Sequence, residues 1–200
     1  MTGGSWDDVY QHDRAPWDIG RPQPAILRLA GAGELVEPVL DSGCGSGEHA
    51  LLAATIGLEV TGVDISQLVV ERARAKARAR GLSAEFLVGD VLALNEVERL
   101  NPPFRSVIDT GCFHTFANAD RPVYASSLAA VVEPGGLLHL LCFSEHTPGS
   151  EGPRRVTQAE IRATFSRDWF VDRIEAEAFA VSSQWSGLQP DAWLARIIRG

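Results

Sequence analysis

The sequence predicts an α/β protein built on a single doubly wound, Rossmann-like sheet of seven strands. Short apolar segments of strand length alternate with segments of helix length along most of the chain. Val39–Asp41 is an apolar strand that ends in an acid and runs into three alternate glycines, Gly43, Gly45 and Gly47. Leu137–Phe143 is a continuous apolar run, which is typical of a strand buried on both faces. These three features together predict a parallel sheet with right-handed crossover helices on its two faces.

The boundaries of the predicted elements follow from residues that start and stop helices. A helix over Pro22–Ala32 has proline in its first turn and Gly33 at its end. Ser66 is a good N-cap for a helix that runs to Arg80, and Gly81 is placed to end it. The other predicted helices are Glu48–Ile56, Arg121–Val132 and Thr157–Phe165. The predicted strands are Val39–Asp41, Glu59–Asp64, Ala84–Val88, Ser106–Thr110, Leu137–Phe143, Trp169–Ile174 and Trp193–Ile198.

The C-terminal strands and the length of the chain predict how the sheet ends and how many domains the chain forms. No helical pattern separates the last two predicted strands, so we expect them to pair antiparallel at one edge of the sheet. Residues 176–192 between them would form a long loop, and such loops are often functional. A chain of 200 residues suits one domain, 1–200, with an N-terminal lid and helix over 1–33 and a core over 34–200.

Composition excludes several classes of function. Hydrophobic and charged contents of 45% and 22% are ordinary for a globular protein, and a net charge of −8 argues against a nucleic-acid partner. The basic run Arg72–Arg80 alternates around a predicted helix, which indicates a solvated surface. No apolar stretch approaches the roughly 20 residues of a membrane span, and no secretory signal is evident. Cys44, Cys112 and Cys142 lack metal-ligand spacing, so we expect reduced thiols, no metal site and a cytoplasmic protein.

The glycine loop indicates which kind of ligand the sheet binds. A glycine-rich loop at the carboxyl end of a parallel strand lets a ligand lie against bare backbone. The dinucleotide fingerprint needs Gly-x-Gly-x-x-Gly, whereas Glu48 stands here where the third glycine would be. The carboxylates of Asp41 and Glu48 would repel a pyrophosphate and suit a ligand with an ammonium and a sulfonium, such as S-adenosylmethionine (SAM). Asp64 is placed to accept hydrogen bonds from the ribose hydroxyls.

The glycine loop and its acids resemble motif I and the follow-on acid of class I SAM-dependent methyltransferases. The resemblance implies the strand order 3-2-1-4-5-7-6 with an antiparallel last strand. It also implies that Asp90 and the backbone amide of Val91 bind the adenine. The full set of cofactor contacts that it implies is Trp6, Tyr10, Trp17, Arg21, Asp41, Gly43, Cys44, Gly45, Asp64, Ile65, Asp90, Val91, Thr110 and Gly111.

Aromatic residues collect in the N-terminal segment. Trp6, Tyr10 and Trp17 fall at spacings of four and seven, and Trp17 belongs to the motif Pro16-Trp17-Asp18-Ile19-Gly20. The arm resembles that of the thiopurine and halide/thiol methyltransferases, which implies a lid whose rings face the sulfonium. The whole chain also resembles small actinobacterial enzymes that methylate heterocyclic toxins. Tyr10 replaces a tryptophan of the thiol/halide enzymes, and Thr110 replaces their acceptor-facing tyrosine, which leaves room for a larger acceptor.

Two motifs near the fourth predicted strand bear on catalysis. His114 follows this strand, and with a reference pKa of about 6.5 it is the best candidate for a general base, unless it only packs there or lines the pocket. With Thr110, Phe113, the N-terminal rings and the loop around Trp185 it would shape the acceptor pocket. His49 is expected to be structural. Asn101-Pro102-Pro103-Phe104 matches an amino-methyltransferase motif, but it precedes the strand instead of following it, so we interpret the match as coincidental.

The predicted function is SAM-dependent methylation of a small, aromatic or heterocyclic acceptor at sulfur, oxygen or nitrogen. The chain is expected to act as a monomer, with S-adenosylhomocysteine as the second product and no nucleic-acid or membrane partner. Three alternatives remain open from the sequence: a nucleotide-binding oxidoreductase, a methyltransferase for RNA or protein, and a SAM-binding protein without catalysis. The glutamate in the glycine loop argues against the first alternative, and the acidic chain argues against the second.

Overall fold

The computed structural model describes residues 3–11, 15–150, 152–182 and 189–200, with side chains from residue 6 onward. Its strands form one seven-stranded sheet with the order β3-β2-β1-β4-β5-β7-β6. The helices are α1 (Gly3–Gln11), α2 (Pro24–Gly31), α3 (Glu48–Thr55), α4 (Gln67–Arg80), α5 (Asp120–Ala129) and α6 (Gln158–Thr164). The strands are β1 (Val39–Ser42), β2 (Val60–Asp64), β3 (Glu85–Val88), β4 (Phe104–Thr110), β5 (Val132–Phe143), β6 (Trp169–Ala178) and β7 (Asp191–Arg199).

The sheet has the topology that the sequence predicts. Strands β1 to β5 are parallel to one another, and β7 lies antiparallel between β5 and β6. The strand order reverses between β1 and β4, because the chain winds outward to β2 and β3 before it returns to β4. A crevice opens at such a reversal beyond the carboxyl ends of the strands, and open α/β sheets bind their ligands there.

The apolar core lies in two layers, one on each face of the sheet. In β1, Leu40 belongs to one layer with Val107 and Leu138, whereas Val39 belongs to the other with Ile26. All five side chains are fully buried, because neighbouring residues of a central strand point to opposite faces that are both covered. The two layers hold the central strands rigidly and so fix the positions of the loops at their carboxyl ends.

Four predicted boundaries are wrong. The helix predicted to end at Val132 ends at Ala129, and β5 begins at Val132 and passes through the expected stop at Gly135 and Gly136. An irregular register against β4 accommodates this stretch, in which Gly135 has a φ of +83°. β6 extends to Ala178, and β7 begins at Asp191, so the predicted loop over 176–192 is shorter at both ends.

The polar N-terminal segment is helical and docks through polar contacts. The carboxylate of Asp7 in α1 accepts hydrogen bonds from the Ser66 hydroxyl and from the Leu68 backbone N–H at the start of α4. Arg72 of α4 donates to the backbone carbonyl of Tyr10. These contacts explain why a segment with little apolar character forms an ordered helix next to the sheet.

A second set of hydrogen bonds fastens the chain before α2 to the segment after β6. The side-chain amide of Gln23 donates to the carbonyl of Ala180 and accepts from the N–H of the same residue. The N–H of Ser182 donates to the carbonyl of Pro16. We name these contacts the seam; they join two segments that lie far apart in the sequence along one side of the crevice.

We predict that the N-terminal cap of α6 contributes measurably to stability. Thr157 accepts the Glu160 N–H through its hydroxyl, and the Glu160 carboxylate accepts the Thr157 N–H, which forms a reciprocal capping box. The variant Thr157→Ala should lower the free energy of unfolding by about 1 kcal/mol in urea denaturation. The matched variant Thr157→Ser retains the hydroxyl and should stay near the parent. Equal stability of the two variants would contradict the assignment.

Candidate functional site

A cleft lies beyond the carboxyl ends of β1 to β4, at the reversal of strand order. Nearly all the predicted site residues line it, including the N-terminal rings and the residues that follow each strand. Those residues are Trp6, Tyr10, Trp17, Arg21, Gly43, Cys44, Gly45, Asp64, Ile65, Asp90, Val91, Thr110, Gly111 and His114. Asp41 and Phe113 do not line the cleft, and Trp185 lies outside the described residues.

The glycine loop between β1 and α3 depends on residues without a Cβ. Gly43 and Gly47 have φ values of +70° and +87°, in the left-handed region that disfavours other residues. A Cβ at Gly43 would lie 2.7 Å from the Cys112 thiol, and one at Gly47 would lie 2.9 Å from Phe86. The glycines therefore let the loop pack tightly onto its neighbours while its backbone faces the cleft.

Asp64 at the end of β2 fixes the glycine loop. One carboxylate oxygen accepts the Gly45 N–H at 2.8 Å, and the other accepts the Ser66 N–H at 2.9 Å. Burial raises the pKa of the carboxyl, and the two backbone donors oppose this rise. The side chain also lines the cleft, so its remaining lone pairs face the space where a ligand would lie.

Asp41 lies behind the glycine loop and not on the wall of the cleft, which corrects the predicted direct contact. Its Oδ2 accepts the Ala50 N–H at 3.0 Å, at the start of α3. Its Oδ1 is buried and has no hydrogen-bond partner among the described residues. Burial, together with the nearby carboxylates of Asp64 and Asp109, raises the pKa of Asp41 to about 7.

Glu48 is neutralised by α4, so its predicted repulsion of a pyrophosphate is weaker than the sequence suggests. Its carboxylate pairs with Lys76 at 2.8 Å and with Arg80 at 2.9 Å. Although partial burial acts in the opposite direction, hydrogen bonds from Arg80 and Lys76 lower the pKa of Glu48. Arg74 donates to the carbonyl of Phe86. Arg78 and Arg80 are exposed, as expected of a solvated surface, but the run also holds the glycine loop and β3 in place.

Three rings of the N-terminal segment stand together over the cleft. Trp17 packs edge-on against Trp6 and Tyr10, with ring centroids 6.1 and 6.2 Å apart. The Trp17 indole N–H donates to the Tyr10 hydroxyl at 3.0 Å. The Tyr10 oxygen lies 3.2 Å from the position that a Cβ at Gly45 would occupy. The rings therefore face the glycine loop across the cleft.

His114 differs in its ionisation from the sequence prediction. Its ring is buried against Phe143 and Phe179, and its Nδ1 accepts the backbone N–H of Phe143 at 3.0 Å. Burial, with further effects of the Arg121 and Arg155 guanidiniums, lowers the pKa of the imidazole to about 3. The expected value near 6.5 is therefore wrong, and the imidazole is neutral at physiological pH with its proton on Nε2.

His49 lines the cleft and contacts Thr110. Its Nε2 accepts the backbone N–H of Gln23 at 3.1 Å, and its Nδ1 lies 3.1 Å from Thr110 Oγ1. Burial lowers its pKa to about 4, so the imidazole is neutral. Because Nε2 accepts a hydrogen bond, the proton is on Nδ1 and is donated to Thr110. The prediction of a structural histidine misses this contact.

Several cleft residues are not identifiable from local sequence. Asp18 accepts a hydrogen bond from the Ser46 hydroxyl at 2.8 Å, and only its place in the Pro-Trp-Asp motif hints at a role. Asp120, Phe116 and Phe179 reach the cleft from α5, from the segment before it and from the end of β6. Only the tertiary fold brings them together.

Two expected features lie away from the cleft. Phe113 is buried between Tyr124 and Phe165 in the core, so its predicted place in the acceptor pocket is wrong. The tetrapeptide over 101–104 lies at the amino end of β4, opposite the cleft, as expected for a coincidental match. Within the described ranges, no three His, Cys, Asp or Glu residues are arranged to hold a metal ion. No described helix is both long and apolar enough to cross a bilayer.

We predict that the neutral, buried His49 makes folding sensitive to acid. Its pKa is lower in the folded chain than in the unfolded chain, so its contribution is complete above about pH 6.5 and is lost as the pH falls toward 4. Between pH 7 and pH 5, His49→Asn should lose about 1–2 kcal/mol less unfolding free energy than the parent chain. Urea denaturation at both pH values measures the difference, and parallel losses would refute the prediction.

The sequence has relatives that are named as methyltransferases. Residues 39–136 match the family model of a methyltransferase domain. The chain is 33% identical over 163 residues to 2-heptyl-1-hydroxyquinolin-4(1H)-one methyltransferase of Mycobacteroides abscessus, which covers 80% of this chain and 71% of the relative. It is 30% identical over 164 residues to probable thiol methyltransferase 2 of Arabidopsis thaliana, which covers 80% of this chain and 70% of that relative.

Solved structures of similar fold are also found. A structure from work on the conversion of a disulfide bond into a thioacetal group in echinomycin biosynthesis has a TM-score of 0.89 and 33% identity, and the match covers 100% of this chain and 92% of the other. A SAM-dependent methyltransferase from Methanosarcina mazei shares the fold, with a TM-score of 0.72, 19% identity and coverage of 90% and 98%. The chain therefore belongs to the family of SAM-dependent methyltransferases.

Proposed function

We propose that this enzyme transfers the methyl group of SAM to a small aromatic or heterocyclic acceptor. The observation that supports the proposal is the juxtaposition, in one cleft, of a glycine loop fixed by Asp64 and a ring-lined region at the end of β4. The names of the quinolone and thiol methyltransferase relatives suggest the same class of acceptor. Sulfur, oxygen and nitrogen nucleophiles all fit this description.

The residues of the cleft suit the charge and shape of SAM. The carboxylate of Asp64 places negative potential beside the glycine loop, which favours a cationic ligand, and a cation there would also stabilise the ionised form of the buried Asp41, whose Oδ1 has no partner among the described residues. Asp64 would accept hydrogen bonds from the ribose hydroxyls. Asp90 caps the turn that begins at Val91, and its side chain, with the Val91 N–H, would bind the adenine.

The chemistry that bound SAM supplies is an electrophilic methyl carbon on a sulfonium. The chain's own contribution is to hold the acceptor in line with that carbon and to exclude water, and positioning of this kind supplies up to about 7–11 kcal/mol. Trp6, Tyr10 and Trp17 would cover the sulfonium with aromatic faces, each contact being worth about 0.5–2 kcal/mol. Arg21, Cys44, Ile65 and Gly111 line the same space and would complete the contact surface.

The acceptor region lies beside β4. Phe116 and Phe179 line it with Thr110 and His114, which gives an apolar surface with few polar groups, as is usual for small-molecule sites. We propose that the enzyme acts as a monomer. The cysteines are free thiols, which supports a reducing compartment such as the cytoplasm.

The direct test is methyl transfer from labelled SAM to a panel of heteroaromatic thiols, phenols and N-hydroxy heterocycles. We expect labelled product with at least one of these acceptors and none with tRNA or a protein lysate. If the label appears only in macromolecules, the proposed acceptor class is wrong. SAM binding without product from any acceptor would favour a binding protein without catalysis.

We predict that Asp64→Ala weakens SAM binding by more than tenfold in isothermal titration calorimetry. The variant loses hydrogen bonds to a charged acceptor, worth roughly 1.5–3 kcal/mol each, and releases the Gly45 N–H. Asp172→Ala is the matched control, because Asp172 pairs with Arg196 on the far edge of the sheet. Circular dichroism checks that both variants fold. An unchanged affinity for Asp64→Ala would remove Asp64 from the site.

A further inference from the structure

Two polar side chains near the carboxyl end of β4 are oriented by hydrogen bonds from deeper in the fold. Thr110 ends the strand, and His114 lies in the short 3-10 helix that follows it. Both line the cleft on either side of Gly111 in the sequence. We name the Thr110 hydroxyl and the His114 Nε2–H the donor pair, because the hydrogen bonds that each side chain accepts leave it as a donor toward the cleft.

The Thr110 hydroxyl is a donor because His49 occupies its acceptor side. A neutral imidazole has a single N–H, and the Gln23 backbone N–H already donates to His49 Nε2. The proton of His49 is therefore on Nδ1, 3.1 Å from Thr110 Oγ1, which accepts it. The hydroxyl proton of Thr110 has no protein partner among the described residues and is free to point into the cleft.

His114 is also limited to the role of a donor. Its Nδ1 accepts the Phe143 N–H, so the neutral ring carries its proton on Nε2. A Cβ at Gly111 would lie 3.1 Å from Nε2 and 3.2 Å from Phe179, so the glycine leaves open the space beside this N–H. Neither member of the pair has the free lone pair, at an accessible basic atom, that a general base requires.

We propose that the acceptor is methylated as an anion formed before it binds, that the donor pair holds its negative charge, and that His49 is the positioning residue that makes Thr110 a donor. The inference rests on the proposed function and narrows its substrate class. The fitting acceptors are heteroaromatic thiols and hydroxy or N-hydroxy heteroarenes that ionise near neutral pH. Aliphatic alcohols and protonated amines would not react.

Charges of both signs lie around the donor pair, and the cation that favours an anion there is Arg121. Its guanidinium is almost fully buried, pairs with Glu160 through Nη1 at 3.1 Å, and has Nε and Nη2 without partners among the described residues. Asp109 is occupied, because it accepts the Tyr124 hydroxyl and the N–H of Cys112. The titratable and charged groups that face the pair or lie next to it are Tyr10, Asp18, Arg21, Glu48, His49, Asp64, Asp109, Cys112, Asp120, Arg121, Arg155 and Glu160, the partner of Arg121.

The proposed reaction balances without proton transfer. The lone pair of the anionic sulfur or oxygen forms a bond to the methyl carbon while the carbon–sulfur bond of SAM breaks and its electron pair stays on sulfur. One negative and one positive charge cancel, which gives a neutral methylated product and S-adenosylhomocysteine. The donor pair binds the anion more tightly than the product, so its loss should raise KM more than it lowers kcat.

The first test measures binding without turnover, with 4-nitrophenol as the probe and S-adenosylhomocysteine present. Its ionised and neutral forms differ in absorbance, so the ionisation of the bound probe is read directly. The parent chain should lower the pKa of the bound phenol. Thr110→Val and His49→Leu should weaken binding of the phenolate about tenfold, whereas Thr110→Ser and His49→Asn, which keep the relevant O–H and N–H, should not. Binding of 4-nitroanisole, which bears no charge, should change little in any variant.

Equal phenolate affinity in Thr110→Val and Thr110→Ser, each shown by circular dichroism to be folded, would overturn the role of the hydroxyl. Equal affinity in His49→Leu and His49→Asn would overturn the positioning role of His49. Neither outcome depends on whether any acceptor is turned over, so failure of the inference is distinguishable from failure of the proposed function.

The second test is the pH–rate profile for thiophenols of graded acidity. The acidic limb of kcat/KM should follow the pKa of each free thiophenol. A limb at one pH for every acceptor would show that an enzyme group takes the proton, and Asp120, which also lines the cleft, is the rival base. If Asp120→Asn abolishes that limb, the proposal is wrong. Absence of product with the whole series would refute the proposed function instead.

Discussion

The cleft depends on the contact between the Asp64 carboxylate and the backbone N–H of Gly45. This hydrogen bond joins the glycine loop to the end of β2, beside the N–H groups of Gly43 and Cys44 that donate to the Val63 carbonyl. The second oxygen of Asp64 extends the connection to the start of α4. The glycines of the loop have positive φ angles, and its Ser46 hydroxyl bonds to Asp18 and Lys76, whereas Asp64 is the side chain that holds the loop through the backbone N–H of Gly45. Because the carboxylate is mostly buried, its hydrogen bonds are strong, and the loop is organised before a ligand binds.

The electrostatics of the cleft differ between its two sides. Carboxylates surround the glycine loop, and Glu48, which begins α3, is neutralised by cations of α4. The β4 side has neutral imidazoles in front of the buried Arg121. In the proposed reaction the sulfonium would lie beside the carboxylates, and the anionic acceptor would lie beside the donor pair.

Much of this fold could be predicted because the signals are local. Gly33, Gly57 and Gly81 end helices, and each strand of the parallel half is a short apolar run that stops at a polar residue or at glycine. The start of β5 was not predictable, because Glu133-Pro-Gly-Gly has the composition of a turn and is accommodated only by a register shift against β4. The helix α1 was not predictable either, because it is held by the Asp7 carboxylate at the start of α4, a contact for which no sequence pattern exists.

The candidate site likewise has features that could be predicted from the sequence and features that could not. The glycine loop, Asp64, Asp90 and the three rings could be found from spacing, because each belongs to a contiguous motif. The protonation of His49 and His114 could not, since it is set by backbone N–H groups of Gln23 and Phe143, far away in the chain.

The seam affects how ligands enter and leave the cleft. Gln23 and Pro16 bind the backbone of residues 180 and 182, so the polypeptide that holds the tryptophan rings is tied to the strip that follows Phe179. Neither strip can swing away while the other stays closed, because the same hydrogen bonds would have to break. A reactant or product that passes through this side of the cleft would therefore have to break the bonds of both strips together.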